Sequence, residues 1–262
     1  MKKRFSDLRF TDDFIFCRVL ESNPEICKEI TEIILGVKIK EIVAVDSQHT
    51  VEFTPDGRGI RFDVYFENDD TVYDIEMQTT KKRDLRMRTR YYQSILDRKI
   101  LDKGDHYNKL KKSYIIFICT FDLFGKNLPI YTFENYCLQD KSIKLGDDAV
   151  KVFVNSTGSY SGLAPDMIDF IKYIQSGQTD GPLSQKIEQK VDIAKRNPEL
   201  EVSYMTFEEM LEDRYEEGLQ EGRQEGLKEG LLEGRRIVVE KLLESGIIDK
   251  DQVKTIEDLL LE

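Results

Sequence analysis

The chain has 262 residues, 40% of them hydrophobic and 10% aromatic, enough to bury a core in one main domain with appendages. Its formal net charge of -11 argues against a surface that is basic throughout, so any binding of nucleic acid has to come from a local patch of Lys and Arg. Four cysteines without a CxxC pair argue against a disulfide framework and a zinc site, and the absence of a long apolar run or apolar leader leads us to expect a soluble, cytoplasmic protein with no membrane partner.

The first confident element begins at Asn23-Pro24-Glu25, a capping residue followed by Pro at the first helical position. Ile26, Ile30, Ile33 and Ile34 then recur at helical spacing until Gly36. From Val37 to Phe53 the pattern changes to β-branched and apolar residues alternating with polar ones. One or two strands are expected there, closed by a turn at Pro55-Asp56-Gly57. Residues 60 to 66 alternate strictly, with Ile60, Phe62, Val64 and Phe66 on one face and Arg61, Asp63 and Tyr65 on the other. After the polar stretch Glu67-Asn68-Asp69-Asp70, Tyr73, Ile75 and Met77 share one face and Asp74, Glu76 and Gln78 the other, so the two runs read as a hairpin.

Residues 83 to 101 contain no Gly or Pro and predict a long helix with Leu85, Tyr92, Ile95, Leu96 and Ile100 as its apolar positions. Ser113 to Phe121 is a near-continuous apolar run suited to a buried central strand. Helix, three strands, helix and strand in that order place the domain in the mixed α/β class, with helices against a sheet. Further on, Lys151 to Val154 reads as a strand, Pro165 to Gln175 and Leu183 to Lys195 as helices, and Asn197-Pro198 as a break. The expected division is a core over residues 1–135, a mainly helical extension over 136–211 and a helical tail over 212–262.

The tail carries an internal repeat. Gly218, Gly222, Gly226, Gly230 and Gly234 recur every four residues, each preceded by Glu. Four residues advance a helix by roughly 400°, so the glycines drift slowly along one side. Each costs about 1 kcal/mol relative to Ala in a helix interior, which packing or function has to offset. The stripe reads either as a surface for close approach of a partner helix, giving a homo-oligomer, or as a polar, partly helical tail.

The hairpin brings acids together. With a turn over residues 68 to 71, paired positions sum to 139 and Asp63 faces Glu76, whereas a two-residue turn at Asn68-Asp69 pairs Asp63 with Asp74. Facing residues on one side of an antiparallel pair have Cβ atoms about 4.5–5.5 Å apart, a destabilising distance for two carboxylates unless a cation sits between them. A hard divalent ion with oxygen ligands suits such a site, Mg2+ above all, with Mn2+ or Ca2+ as substitutes. It would lower the pKa of a bound water and polarise a phosphoryl oxygen. The competing reading is an outward, solvated polar face. Immediately downstream, Lys81, Lys82, Arg83, Arg86, Arg88 and Arg90 stand against Asp84 alone, and Arg83, Arg86 and Arg90 are spaced to contact successive phosphates from one helix face.

Phe62-Asp63, Ile75-Glu76-Met77-Gln78 and Arg90-Tyr91-Tyr92, taken in order, resemble the PD-(D/E)XK nuclease superfamily. More narrowly, the chain resembles its recombination-promoting nuclease and putative transposase family. Thr11-Asp12-Asp13-Phe14-Ile15-Phe16, Gly104-Asp105-His106-Tyr107, Ser203-Tyr204-Met205-Thr206 and the glycine-repeat tail extend the resemblance over nearly the whole chain. It implies a restriction-endonuclease-like αβββαβ core, a bacterial source, DNA as partner and metal-dependent endonuclease activity linked to recombination or mobile elements. By position it implies Asp63 and Glu76 as metal ligands, with the Met77 carbonyl as a further oxygen, and Gln78 as a catalytic residue where the superfamily usually has Lys. A neutral amide supplies no positive charge to a transition state, and Arg86 or Arg90 is the expected substitute. Two alternatives stay open: the same fold binding DNA without cutting it, and an assembly protein acting through its glycine-repeat helix.

Overall fold

A computed structural model of the chain describes residues 3–40, 42, 44–51, 60–68, 70–249 and 253. Helix α1, Asp13–Ser22, precedes the first helix expected from sequence. Its residues Phe14, Ile15, Phe16, Cys17, Val19 and Leu20 are all buried. Beyond its first residue the polar side is narrow, limited to Arg18, Glu21 and Ser22 at helical spacing, and no helix is expected there from sequence. Helix α2, Pro24–Leu35, has Pro in its first turn and ends at Gly36, where φ is +67° and the amide bonds back to the Glu32 carbonyl.

Of the stretch Val37 to Phe53, strand β1 takes Ala44–Val51, and the turn expected at Pro55-Asp56-Gly57 lies outside the described residues. Strands β2, Ile60–Glu67, and β3, Thr71–Gln78, form the hairpin. Val64 pairs with Ile75, Tyr65 with Asp74, Phe66 with Tyr73 and Glu67 with Val72, so positions sum to 139 as the first of the two registers requires. The turn is pinned by the Asn68 side chain, whose Oδ1 accepts the amides of Asp70 at 3.2 Å and Thr71 at 2.9 Å.

Helix α3, Leu85–Ile100, carries the chain across to β4, Lys112–Cys119, which runs parallel to β3 along its whole length. A parallel neighbour requires such a crossover. Strands β5, Ile130–Phe133, and β6, Ala149–Asn155, complete a six-stranded mixed sheet in the order β1-β2-β3-β4-β6-β5. Tyr65, Val72, Ile115 and Phe117 pack with Leu85, Tyr92, Ile95 and Leu96 of α3 in one cluster, and every residue of β3 is buried. The face that carries the acids is therefore a covered face.

The sheet does not end at residue 135, because β6 pairs with β4 in its interior. Helices α4, Pro165–Ser176, and α5, Pro182–Lys195, pack against each other and against α2 and α1 respectively. One compact unit spans Met1–Glu201 and a second spans Val202–Glu262. Helix α6 runs from Pro198 to Glu244, and a Cβ added at any of Gly218, Gly222, Gly226, Gly230 or Gly234 would meet open space. Among the described residues no helix is long and apolar enough to cross a membrane.

Candidate active site

The β2–β3 ladder ends at the Val64–Ile75 pair, and side chains take over from backbone one step further along. The Met77 amide donates to Asp63 Oδ2 at 3.1 Å, and the Asp63 amide donates to Glu76 Oε1 at 3.0 Å. Each acid thus caps the opposite strand through one oxygen and keeps its second oxygen outside that clamp.

The competing reading, a solvated acidic face, does not hold. Asp63 and Gln78 are each 8% exposed, Glu76 1% and Asp74 not at all. Both oxygens of Asp74 lack a hydrogen-bond partner among the described residues. Burial, reinforced by the charge of Asp63, pushes the Asp74 carboxyl well above the ordinary range, and burial together with the Asp74 charge does the same to Glu76. Packing carboxylates this closely away from water costs several kcal/mol per ion unless a positive charge compensates.

Part of that compensation comes from Arg88. Its Nη1 donates to Gln78 Oε1 and its Nη2 to Glu76 Oε2, both at 3.3 Å, while Nη2 also donates to the Tyr92 hydroxyl one helical turn on. The guanidinium lies 5.1 Å from the centre of the Tyr92 ring and 5.7 Å from that of Phe117. Burial opposes its charge, but Tyr92 and the neighbouring carboxylates outweigh that and raise its pKa. Arg86 and Arg90, the expected sources of positive charge, are exposed, and Arg86 stands 5.8 Å over the Phe124 ring. Two residues turn a helix by about 200°, so whichever side Arg88 presents to the sheet, its neighbours at two-residue spacing face away.

Arg83 does not share the helix face of Arg86 and Arg90, because it lies in the turn ahead of α3. Lys81 and Lys82 precede that turn, and all five of these cations are exposed. Lys81 Nζ donates to the Asp122 carbonyl at 3.0 Å.

Two residues of α1 complete the surroundings. A carboxylate oxygen of Asp13, the sulfur of Cys17 and a carboxylate oxygen of Asp63 lie within 4.8 Å of one another. Sequence reasoning placed Asp13 in a motif without a role and passed over Cys17, Asp74 and Arg88 as site residues. The four-residue spacing of Asp13 and Cys17 was a usable sign, but only the docking of α1 brings them to the hairpin. The donor set of buried carboxylates, one of them without a hydrogen-bond partner among the described residues, suits a hard divalent cation coordinated through oxygen.

The family model of the PD-(D/E)XK nuclease family transposases matches residues 10–151, more than half of the chain. The matched span contains Asp13, Asp63, Asp74, Glu76, Gln78 and Arg88. No curated protein and no solved structure matches the chain.

Proposed function

This chain belongs to the PD-(D/E)XK nuclease family transposases, and from that premise we propose that it is a metal-dependent endonuclease hydrolysing phosphodiester bonds of DNA in recombination or mobile-element movement. The observation that carries this reading is the reciprocal clamp of Asp63 and Glu76, two buried carboxylates held at fixed positions by each other's strands. Asp63 and Glu76 would hold Mg2+, or Mn2+ or Ca2+ in its place, with the Met77 carbonyl as a further oxygen. When bound, the ion lowers the pKa of a water molecule and polarises the scissile phosphate.

The remaining roles fall to this chain's own side chains. Arg88 brings the positive charge that Gln78 lacks, and Gln78 and Glu76 orient its guanidinium. Fixed in a shielded site, that charge is worth more to a developing oxyanion than it would be in water. Lys81, Lys82, Arg83, Arg86 and Arg90, exposed next to the site, would contact successive phosphates without reading sequence.

Nicking of a supercoiled plasmid by the purified full-length chain, with Mg2+ or Mn2+ and with chelator as control, tests the proposal. Cleavage that needs the cation and is lost in Asp63→Ala is expected. DNA retardation without nicking under any cation would favour the second reading, a DNA-binding module of the same fold, which the neutral Gln78 supports.

A further inference from the structure

Strand β5 is the outermost strand of the sheet and, among the described residues, pairs only with β6. Beyond it the chain turns back on itself as a short arm between Asn135 and Leu145. Tyr136 and Lys144 face each other in a bridge, the Cys137 amide donates to the Ile143 carbonyl at 3.0 Å, and the Leu145 amide donates to the Asn135 carbonyl at 2.9 Å. Side chains fix this shape: Glu134 Oε2 accepts the Lys144 ammonium at 2.8 Å and the Tyr136 hydroxyl at 2.9 Å, and Asn135 Nδ2 donates to Asp147 at 2.6 Å. The arm is nonetheless apolar where water reaches it. Leu138 is 85% exposed, and Phe133, Tyr136, Ile143 and Leu145 are exposed as well. Aromatic side chains carry about 150–250 Å² and aliphatic ones somewhat less, so at their exposures these five present on the order of 500 Å².

We infer that two copies of this chain associate through their arms about a two-fold axis, the Leu138 of each entering a groove on the other. That groove, of about 380 Å³, is lined by Tyr136, Cys137, Leu138 and Lys141. A contact that uses the same surface on both partners needs a projection and a hollow side by side, and the arm has both. Each partner of a standard interface contributes about 800 Å², roughly 65% of it apolar between two copies of one chain, and the arm supplies about that apolar share. Charge does not oppose the approach. In a chain of net charge -11 the arm balances, with Glu134 paired to Lys144 and Asp140 next to Lys141, so two copies meet there without a field of one sign. A hairpin already held in one shape also loses little freedom on binding. The inference goes beyond the proposed cleavage and shares no residue with its site.

Sedimentation velocity of the full-length chain over a micromolar concentration series tests this. A dimer is expected. Leu138→Asp, at a residue too exposed to disturb the fold, should melt near the parent temperature and raise the dissociation constant at least about thirtyfold, the cost of losing a central anchor. Cys137 lines the groove and is partly exposed, whereas Cys17, Cys27 and Cys119 are buried, so a short bismaleimide should join two copies through Cys137 and fail to do so in Cys137→Ser. A monomeric parent overturns the inference. So does a dimer that survives Leu138→Asp or gives no Cys137 cross-link, since assembly then lies elsewhere, as along α6. If Leu138→Asp does not fold, Leu138→Ala decides, and unchanged association there overturns the inference too. A dimer lost in Leu138→Asp supports it even where no DNA is nicked, and a monomer refutes it even where Mg2+ drives nicking.

Discussion

Asp63 and Glu76 each hold the other's strand: Asp63 Oδ2 accepts the Met77 amide at 3.1 Å, and Glu76 Oε1 accepts the Asp63 amide at 3.0 Å. The exchange stands where ladder hydrogen bonds would otherwise continue, so the two acids keep the hairpin end closed and fix the oxygens that would face a cation. Replacing either by Ala removes a proposed ligand and orphans a buried amide, at a cost of about 1–3 kcal/mol in stability. Asp63→Asn and Glu76→Gln keep an acceptor for the amide. Both should fold, with melting temperatures near that of the parent, and lose at least about a hundredfold in nicking rate if the carboxylates supply several kcal/mol of charge stabilisation through the ion. Parent-like nicking by Asp63→Asn would remove the metal-ligand role.

Arg88 should separate from its neighbours on α3. Arg88→Ala takes away the guanidinium held on Glu76 and Gln78, so the nicking rate is expected to fall about a hundredfold at saturating DNA, the loss typical of a removed electrostatic donor. Arg86→Ala and Arg90→Ala should leave the saturated rate unchanged and weaken binding. Each is also expected to lower the salt dependence of DNA affinity by about one unit of slope. Fluorescence anisotropy across a salt series, run beside nicking kinetics, tells the two patterns apart.

The raised carboxyls make a signed prediction for pH. Burial lifts Asp74 and Glu76 above their ordinary range in the folded chain, so the folded state binds more protons than the unfolded one between the two sets of values. Their contribution to stability is therefore fully present below the unfolded carboxyl pKa of about 4 and is lost as pH rises through the raised folded values. Thermal melts of cation-free protein over that interval should show the parent losing ground to Glu76→Gln as pH rises. Mg2+ should restore the parent and not the variant. A melting difference independent of pH would contradict the buried, proton-holding acids.

The glycines of α6 offer a test that leaves the acidic site untouched. A Cβ at Gly222 or Gly226 meets open space, so Ala at each should stabilise the helix by about 1 kcal/mol. Circular dichroism of the full-length double variant is expected to report a helix that melts later. If the stripe serves close approach of a second chain, the same added methyl groups should lower the sedimenting mass of an oligomer. A mass unchanged in this variant, and unchanged again when residues 212–262 are removed, would dismiss assembly through the tail.

Much of this protein is written in local pattern. The hairpin register stayed open between two pairings until the structure selected one, but strict alternation in residues 60–66 and 73–78 set both faces of the hairpin, and Pro24 and Gly36 set the ends of α2. Those features depend on neighbours in the chain, where a period of two or 3.6 residues leaves its mark. Helix α1 left only a faint mark, a narrow polar strip of Arg18, Glu21 and Ser22 on an otherwise largely buried helix. Only the tertiary structure decided that the acidic face of β3 lies beneath α3, that Arg88 rather than Arg86 or Arg90 turns towards it, and that Asp13 and Cys17 arrive from α1. Each of these depends on which faces of distant elements dock, and burial then turns acids that water would have solvated into a cluster that calls for a cation.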